Sequence, residues 1–426
     1  MTSETRTQQF SPPIARTAPP TEHDLARWSE ADRTARPARL ERLRARMEEE
    51  RVDAYFGVRA ENTRYLTGFA LANGEEKVAG YSGQFFVSED EIVVLADSRY
   101  RLQAESECPD ARIENVYGDF AARWPELVGS LRRAAGGAGA AGSGSGGKVR
   151  RLGVEAGFVS HATWTRIAAA SPDVELVPVE GWIEGLRQIK EPAEIERIGS
   201  ACAVADAALQ RLLPTIRPGM TERELAMALE WEMRTNGAEA LAFDVACLAG
   251  AQAALPHGSP GERPVRAGEV LLFDFGAQVF GYRSDMTRTL FVGEPSERDL
   301  AIYELVAEAQ SAAFSALEAA VSAGEHPMNR AIDAAARDVI AAAGHEEHFG
   351  HGLGHGIGLA THELPSLGRL APEAALRSPC VFSVEPGVYL DGETGVRIED
   401  LVLFDPSSHQ LQRLTSFPRE VTVVGE

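Results

Sequence analysis

The chain has 426 residues, 44% of them hydrophobic and 25% charged, a composition that leaves room for two or more cores and excludes a fibrous or wholly disordered protein. Its formal net charge is −21, so the average field repels phosphate backbones and anionic lipid, which argues against nucleic-acid and membrane-surface partners. Cys108, Cys202, Cys247 and Cys380 form no CxxC pair, which excludes a zinc knuckle or a dense disulfide framework and leaves four buried thiols as the reading.

Residues 1–36 are rich in Thr, Pro, Gln and Arg without periodicity and read as a flexible tail. They contain no apolar core of signal-peptide length, and no later run reaches the roughly 18 apolar residues of a membrane span, so a cytoplasmic protein is expected. From "RLERLRARMEEERVDAYFGV" an amphipathic helix leads into a strand at "AYFGV", and further strands read at "EIVVLADSRY", "RLGVE" and "VELVPV". These predict an α/β domain over 37–180, interrupted by a flexible loop at "AAGGAGAAGSGSGG", residues 134–147.

A boundary near Val179 to Gly185 opens a second domain, 181–426. Helices are predicted at about 192–213, 221–236, 297–323 and 327–343. Strands are predicted at "VLLFDFGAQVF", "YRSDMTRTLFVG", "CVFSVEPGVYL" and "GVRIEDLVLF". Helices alternating with antiparallel hairpins make the whole an α+β fold.

Chemistry gathers on those strands. Asp274 ends an apolar run and Asp285 lies on the returning strand, where a hairpin sets them side by side; hydrogen-bonded turn aspartates are the alternative. Glu385 interrupts "VFSVEPGVYL" and Glu399 sits inside "VRIEDLVLF", although a lone strand glutamate is ordinarily a surface residue. The stretch "GHGLGHGIGLATHELP" adds His351, His355 and His362 among glycines that permit positive φ and a close approach of substrate or metal to the backbone. Pairing of the strands into one sheet brings the four carboxylates to one pocket with one of these histidines. Two like charges about 4 Å apart repel by about 4 kcal/mol at an effective dielectric near 20, and several such pairs rival a domain's stability of about 5–15 kcal/mol. The cluster therefore holds protons or binds cations, and two divalent ions balance four carboxylates. Oxygen-rich ligation with one imidazole suits manganese or cobalt, and water activated by such ions implies hydrolysis.

As an ordered set, "LRQIKEPAEIERI", "PHG", "FDFG" with "SDMTRT", "HGLGHGIGLATHELP", "SVEPGVYL" and "GVRIEDLVLF" resemble the pita-bread metallopeptidases, the family of aminopeptidase P, prolidase and, more distantly, methionine aminopeptidase. The first part, with "ENTRYLTGF" and "LADSRYRLQA", resembles the creatinase-type N-terminal domain of the proline-directed members. The resemblance implies two divalent metal ions, most often Mn(II), with Co(II) or Zn(II) as alternatives. Asp274 would ligate one, Asp285 and Glu399 would bridge both, and His355 with Glu385 would complete the second. It further implies a substrate-pocket role for His351, contact of His362 with the scissile carbonyl and proton transfer by His257 to the leaving amine. Glu385 would be the general base, with Arg397 supporting the bridging carboxylate. The expected activity is hydrolysis of peptides with proline at the second position, by a homodimer. A metal-free creatinase-like amidinohydrolase and a non-catalytic binding protein are the alternatives. The "DFG" of Asp274 to Gly276 has no HRD loop to accompany it, and "HEEH" lacks HExxH spacing, so neither a kinase nor a zincin reading stands.

Overall fold

The computed structural model describes residues 19–71, 81–116, 118–131 and 148–425. The Gly/Ala segment 134–147 and residues 1–18 lie outside them. The described chain divides into two compact units, 29–186, and 187–426 together with the residues up to Trp28.

The first helix runs Glu22–Glu49, so residues 22–36 are helical where a tail is expected. Thr21 Oγ1 accepts from the Asp24 N–H, and the Asp24 carboxylate accepts from the Thr21 N–H, which together cap the helix N-terminus. Trp28 is buried among Ala201, Leu225 and Leu229, and its Nε1 donates to Glu196. The part of this helix from Arg39 is the predicted amphipathic one; before that, charged residues outnumber apolar ones and hide the periodicity. Pro37 lies inside it.

In the unit 29–186 a six-stranded mixed sheet is ordered Arg112–Glu114, Ile92–Leu95, Phe85–Ser88, Ala54–Gly57, Arg151–Glu155 and Glu175–Val179. Phe56, Phe86, Trp124, Leu152 and Val154 form its core. The strands Phe85–Ser88 and Arg112–Glu114 are additions to the predicted ones. Glu155 is buried and accepts from the N–H groups of Val58 and Arg59, so it caps the helix Ala60–Thr67 from another strand.

In the other unit the helices Pro192–Leu212, Glu222–Thr235, Glu297–Ala323 and Asn329–Ala342 match the four predicted spans within a residue or two. Capping boxes at Glu191 with Glu194 and at Thr221 with Glu224 start the first two. The first pair of helices packs on Leu271, Phe273, Phe275, Met286 and Leu290. The second pair packs on Phe382, Val384, Val388, Val396 and Phe404. The second pair's core also takes in Leu248, Val270, Leu272 and Phe291, so the strands Val270–Phe275 and Met286–Val292 are covered by a helical layer on each face.

The predicted long strands are each broken in two. Val270–Phe275 and Met286–Val292 belong to a four-stranded sheet, while Ala277–Val279 and Tyr282–Arg283 belong to a three-stranded one. Likewise Cys380–Val384 and Asp400–Phe404 lie in a five-stranded sheet, and Gly387–Leu390 pairs with Thr394–Arg397 in a separate ribbon. Asp285, Glu385 and Glu399 each fall in such a gap, between one sheet and the next.

The glycines of "GHGLGHGIG" act differently from expectation. None of Gly350, Gly352, Gly354, Gly356 or Gly358 has positive φ. Instead, a Cβ on Gly354 would lie 1.9 Å from the Ser383 carbonyl oxygen, and one on Gly356 would lie 2.1 Å from that of Leu364. At these two positions the missing side chains let strands close on one another. Gly354→Ala is expected to lower stability by about 1–3 kcal/mol or more, the cost of overpacking against rigid backbone; a thermal midpoint equal to the parent's would contradict this.

Candidate metal centre

The gaps between sheets free the backbone of Asp285, Glu385 and Glu399 from regular pairing and turn their side chains to one place. The Glu385 N–H donates to Leu353 O at 2.8 Å, and the Glu399 N–H donates to Thr287 O at 3.1 Å. Each glutamate is thereby tied to a strand of a different segment. Asp274 pairs in register with Thr287, and Thr287 Oγ1 donates to Glu399 Oε2 at 2.7 Å.

One ligand atom from each of Asp285, His355 and Glu399 lies within 4.8 Å of the others. His355 Nε2 is 3.3 Å from Glu385 Oε1 and 3.7 Å from Asp285 Oδ2. Asp274 Oδ2 accepts from Arg397 Nη2 at 2.5 Å. Three buried carboxylate oxygens, Asp274 Oδ1, Asp285 Oδ1 and Glu399 Oε1, have no hydrogen-bond partner. Buried polar atoms are ordinarily paired.

The electrostatics give the same reading. Burial, followed by the charges of Glu399, Asp274 and Glu385, raises the Asp285 pKa well above the usual carboxylate range. Burial, then Glu385 and Asp274, does the same for Glu399. Glu385 is raised chiefly by burial. His355 is lowered, chiefly by burial, so its ring is neutral, and its Nδ1 lies 3.1 Å from Gly356 O. A proton on Nδ1 satisfies that carbonyl and leaves the Nε2 lone pair facing carboxylate oxygens. Lone pair against lone pair with three orphaned oxygens nearby is unfavourable without protons or a cation, and the donor set fits divalent ions. Loading must expel the protons that the raised pKa values retain. Binding of Mn²⁺ is therefore expected to release protons and to weaken as pH falls, which calorimetry in buffers of different ionisation enthalpy would measure.

The structure also places the remaining predicted residues. The rings of His362 and His355 are 4.2 Å apart between centroids. The His362 pKa is lowered by burial and then by His355. His351 Nε2 lies 2.9 Å from the Tyr389 hydroxyl, which accepts from Arg397 Nη1 at 2.9 Å. His257 is exposed, and the carbonyl of the preceding Pro256 accepts from Arg397 Nη1 at 3.4 Å. Arg397 reaches Glu399 through an intermediary: its Nε donates to Thr287 Oγ1 at 2.8 Å, and that hydroxyl donates onward to Glu399.

Several contributors carry no mark in the sequence. Ser383 Oγ accepts from the His355 N–H and donates to Glu385 Oε1 at 2.9 Å, coupling two candidate ligands. Thr287 and Tyr389 lie within recognisable motifs but are ordinary strand residue types. Glu363, next to His362, is enclosed by Arg187 and by Lys190 Nζ at 2.7 Å.

Comparison with known proteins adds independent findings. The profile of Metallopeptidase family M24 matches residues 196–406, and that of the Creatinase/Prolidase N-terminal domain matches 39–189. An Xaa-Pro dipeptidase of Pyrococcus furiosus is 33% identical over 385 residues, covering 90% of this chain and 99% of that protein. An uncharacterized peptidase of Bacillus subtilis is 32% identical over 91% of this chain and 100% of its own length. Among solved structures, an Xaa-Pro dipeptidase from Bacillus anthracis superposes with a TM-score of 0.78 at 31% identity, covering 91% of this chain and 99% of that one. An X-Pro aminopeptidase from Thermotoga maritima gives 0.73 at 33%, covering 89% and 100%. No helix among the described residues is long and apolar enough to cross a membrane. With matches that run nearly the full length of both chains, and a carboxylate and imidazole cluster at the gaps between its sheets, the chain belongs to metallopeptidase family M24 and carries a creatinase-type N-terminal domain and a pita-bread catalytic domain.

Proposed function

We propose that this metallopeptidase hydrolyses Xaa-Pro bonds with two divalent metal ions, held by Asp274, Asp285, His355, Glu385 and Glu399. The observation that carries the reading is the trio of orphaned, buried carboxylate oxygens in the cluster where ligand atoms of Asp285, His355 and Glu399 lie within 4.8 Å of one another. Manganese suits this oxygen-rich set, with cobalt or zinc as alternatives. When bound, such ions polarise the scissile carbonyl and lower the pKa of the attacking water.

The protein's own groups do the rest. Glu385, fixed at Oε1 by Ser383, takes the proton of the attacking water. His362 faces the scissile carbonyl and donates to the oxygen as charge develops there. His257, exposed beside Pro256, delivers a proton to the departing nitrogen. His351, braced by Tyr389, walls the pocket. Arg397 orients Asp274 directly and Glu399 through Thr287.

Proline gives such an enzyme a purpose. Its ring fixes φ and its nitrogen carries no proton, so peptidases that bind substrate as an extended, hydrogen-bonded strand lose a donor there.

The test is an assay of Xaa-Pro dipeptides, longer Xaa-Pro peptides and Met-Ala-Xaa peptides, before and after chelation. Xaa-Pro substrates are expected to be cleaved, the chelator to abolish turnover, and Mn²⁺ to restore it. Cleavage of Met-Ala-Xaa alone would overturn the substrate assignment, and full activity in chelator would overturn the metal assignment. The ratio of dipeptide to longer-peptide turnover separates dipeptidase from aminopeptidase.

A further inference from the structure

Gln310 lies in the middle of the helix Glu297–Ala323, fully buried in a stripe otherwise made of Val306, Ala313, Phe314 and Leu317. Its Nε2 is 3.0 Å from Val384 O, 3.1 Å from Ile398 O and 3.1 Å from Asp400 Oδ2. Its Oε1 accepts from Arg419 Nη1 at 3.2 Å. Every neighbour of the nitrogen is an acceptor and the neighbour of the oxygen is a donor, which fixes the amide's orientation.

Val384 and Ile398 immediately precede Glu385 and Glu399. Pairing in the five-stranded sheet stops at Val384 with Asp400, and pairing in the next ribbon starts at Gly387 with Arg397. The two glutamates therefore face each other across a gap that the backbone spans with a long hydrogen bond, from the Ile398 N–H to Pro386 O at 3.4 Å. A peptide plane joins each carbonyl to the following N–H. The plane entering Glu385 is held by Gln310 at Val384 O and by Leu353 O at the Glu385 N–H. The plane entering Glu399 is held by Gln310 at Ile398 O and by Thr287 O at the Glu399 N–H. One amide thus closes the gap for both.

Asp400, the third acceptor, is itself fixed by Arg288 Nη2 at 2.7 Å and by the Thr415 hydroxyl at 2.6 Å. It gives the Gln310 amide a rigid reference. The hydrogen bonds of the Gln310 side chain go to backbone, Asp400 and Arg419, and to none of the candidate ligand side chains.

We infer that Gln310 is a positioning residue for the metal centre, setting the separation and orientation of the Glu385 and Glu399 carboxylates through their backbone. The inference rests on the reading that these two glutamates hold the ions. Groups one layer behind the ligands commonly govern metal affinity in this way.

The test uses full-length protein with Gln310→Met, which keeps length and packing but removes both N–H donors. Mn²⁺ affinity is measured by calorimetry, the visible spectrum is recorded with Co²⁺, and thermal midpoints are taken with and without metal. A fall in Mn²⁺ affinity of about 10- to 100-fold is expected, with an altered Co²⁺ spectrum and kcat falling more than KM rises. A lower metal-free midpoint with parental affinity and spectrum would reduce Gln310 to a core residue and overturn the inference. Arg419→Met, which frees the far end of the amide, covers the case in which Gln310→Met does not fold. A smaller shift in the same direction is then expected, and unchanged affinity overturns the inference. Failure of the parent to bind either ion would refute the metal reading itself, whereas equal binding by parent and variants refutes only the role of Gln310.

Discussion

Asp285→Asn is expected to reduce kcat/KM by about 10³-fold or more and, at the same time, to make the metal-free protein more stable. Both outcomes follow from one fact. Asp285 is buried against Glu399, Asp274 and Glu385, and its pKa is raised well above the ordinary range, first by desolvation and then by those charges. A carboxyl whose folded pKa is raised ionises more readily in the unfolded chain. Its stabilising effect is therefore lost as pH climbs from the unfolded value near 3.9, and at neutral pH ionisation favours unfolding. An asparagine of the same shape has no charge to desolvate, so the variant without metal should melt above the parent at pH 7. With metal the order should reverse, because a ligand that binds only the folded state stabilises by about 2.7 kcal/mol at a concentration of 100 Kd, and the variant loses most of that affinity. Calorimetry of both proteins with and without Mn²⁺ measures all four midpoints. A metal-free variant less stable than the metal-free parent would mean that the carboxylates do not repel as described.

The second large effect concerns stability and is centred on Glu363. Its side chain is 3% exposed, between Arg187 and Lys190, whose side chains are 2% and 1% exposed. Burial raises its pKa, but the two cations and the Ala360 N–H outweigh burial and bring it down to about 2. Glu363→Ala removes the carboxylate that the two buried cations share and is expected to lower stability by about 3–5 kcal/mol. The parent's own pH dependence follows with the opposite sign to that of Asp285. A depressed carboxylate stabilises above its unfolded pKa near 4.3, and this contribution, about 3 kcal/mol, is lost as pH falls from there towards 2. Urea unfolding of parent and variant between pH 7 and 3 would show the difference between them shrinking as acid is added. A constant difference would mean that the triad holds Glu363 by packing alone. Because Glu363 adjoins His362 and its Oε1 accepts from the Ala360 N–H at 2.9 Å, loss of the triad also loosens the loop that presents His362.

Helix positions were the most legible part of the fold. The spans around Pro192–Leu212, Glu222–Thr235 and Glu297–Ala323 combine apolar periodicity with capping residues that local chemistry demands. Of the helix Glu22–Glu49 only the part from Arg39 was legible; the part before it, charge-rich and held by Trp28 and by Arg27 against Glu196, reads as tail. The four long strands predicted in the second domain were placed correctly but read as continuous, while shorter ones such as Phe85–Ser88 and Ala246–Ala249 were not predicted. "CVFSVEPGVYL" and "GVRIEDLVLF" do not reveal that pairing changes partner at Glu385 and Glu399, because alternation reports which face a residue takes and not which strand lies beside it. The glycines of the histidine-rich stretch were misread for a related reason. Residue type marks that a Cβ is unwelcome, while only packing tells whether ligand or backbone occupies its place.

The amino-acid sequence by itself determined the inventory: four acidic residues and three histidines set among apolar strands, too costly to bury together without a counter-charge, in an order that matches one enzyme family. Tertiary structure alone decided how they are held. Gln310 reaches carbonyls 74 and 88 residues away, Thr287 meets Glu399 across 112, and Ser383 joins His355 across 28. Hydrogen bonds between such distant positions leave no periodic trace in a chain, since periodicity records only what a residue's near neighbours impose on it.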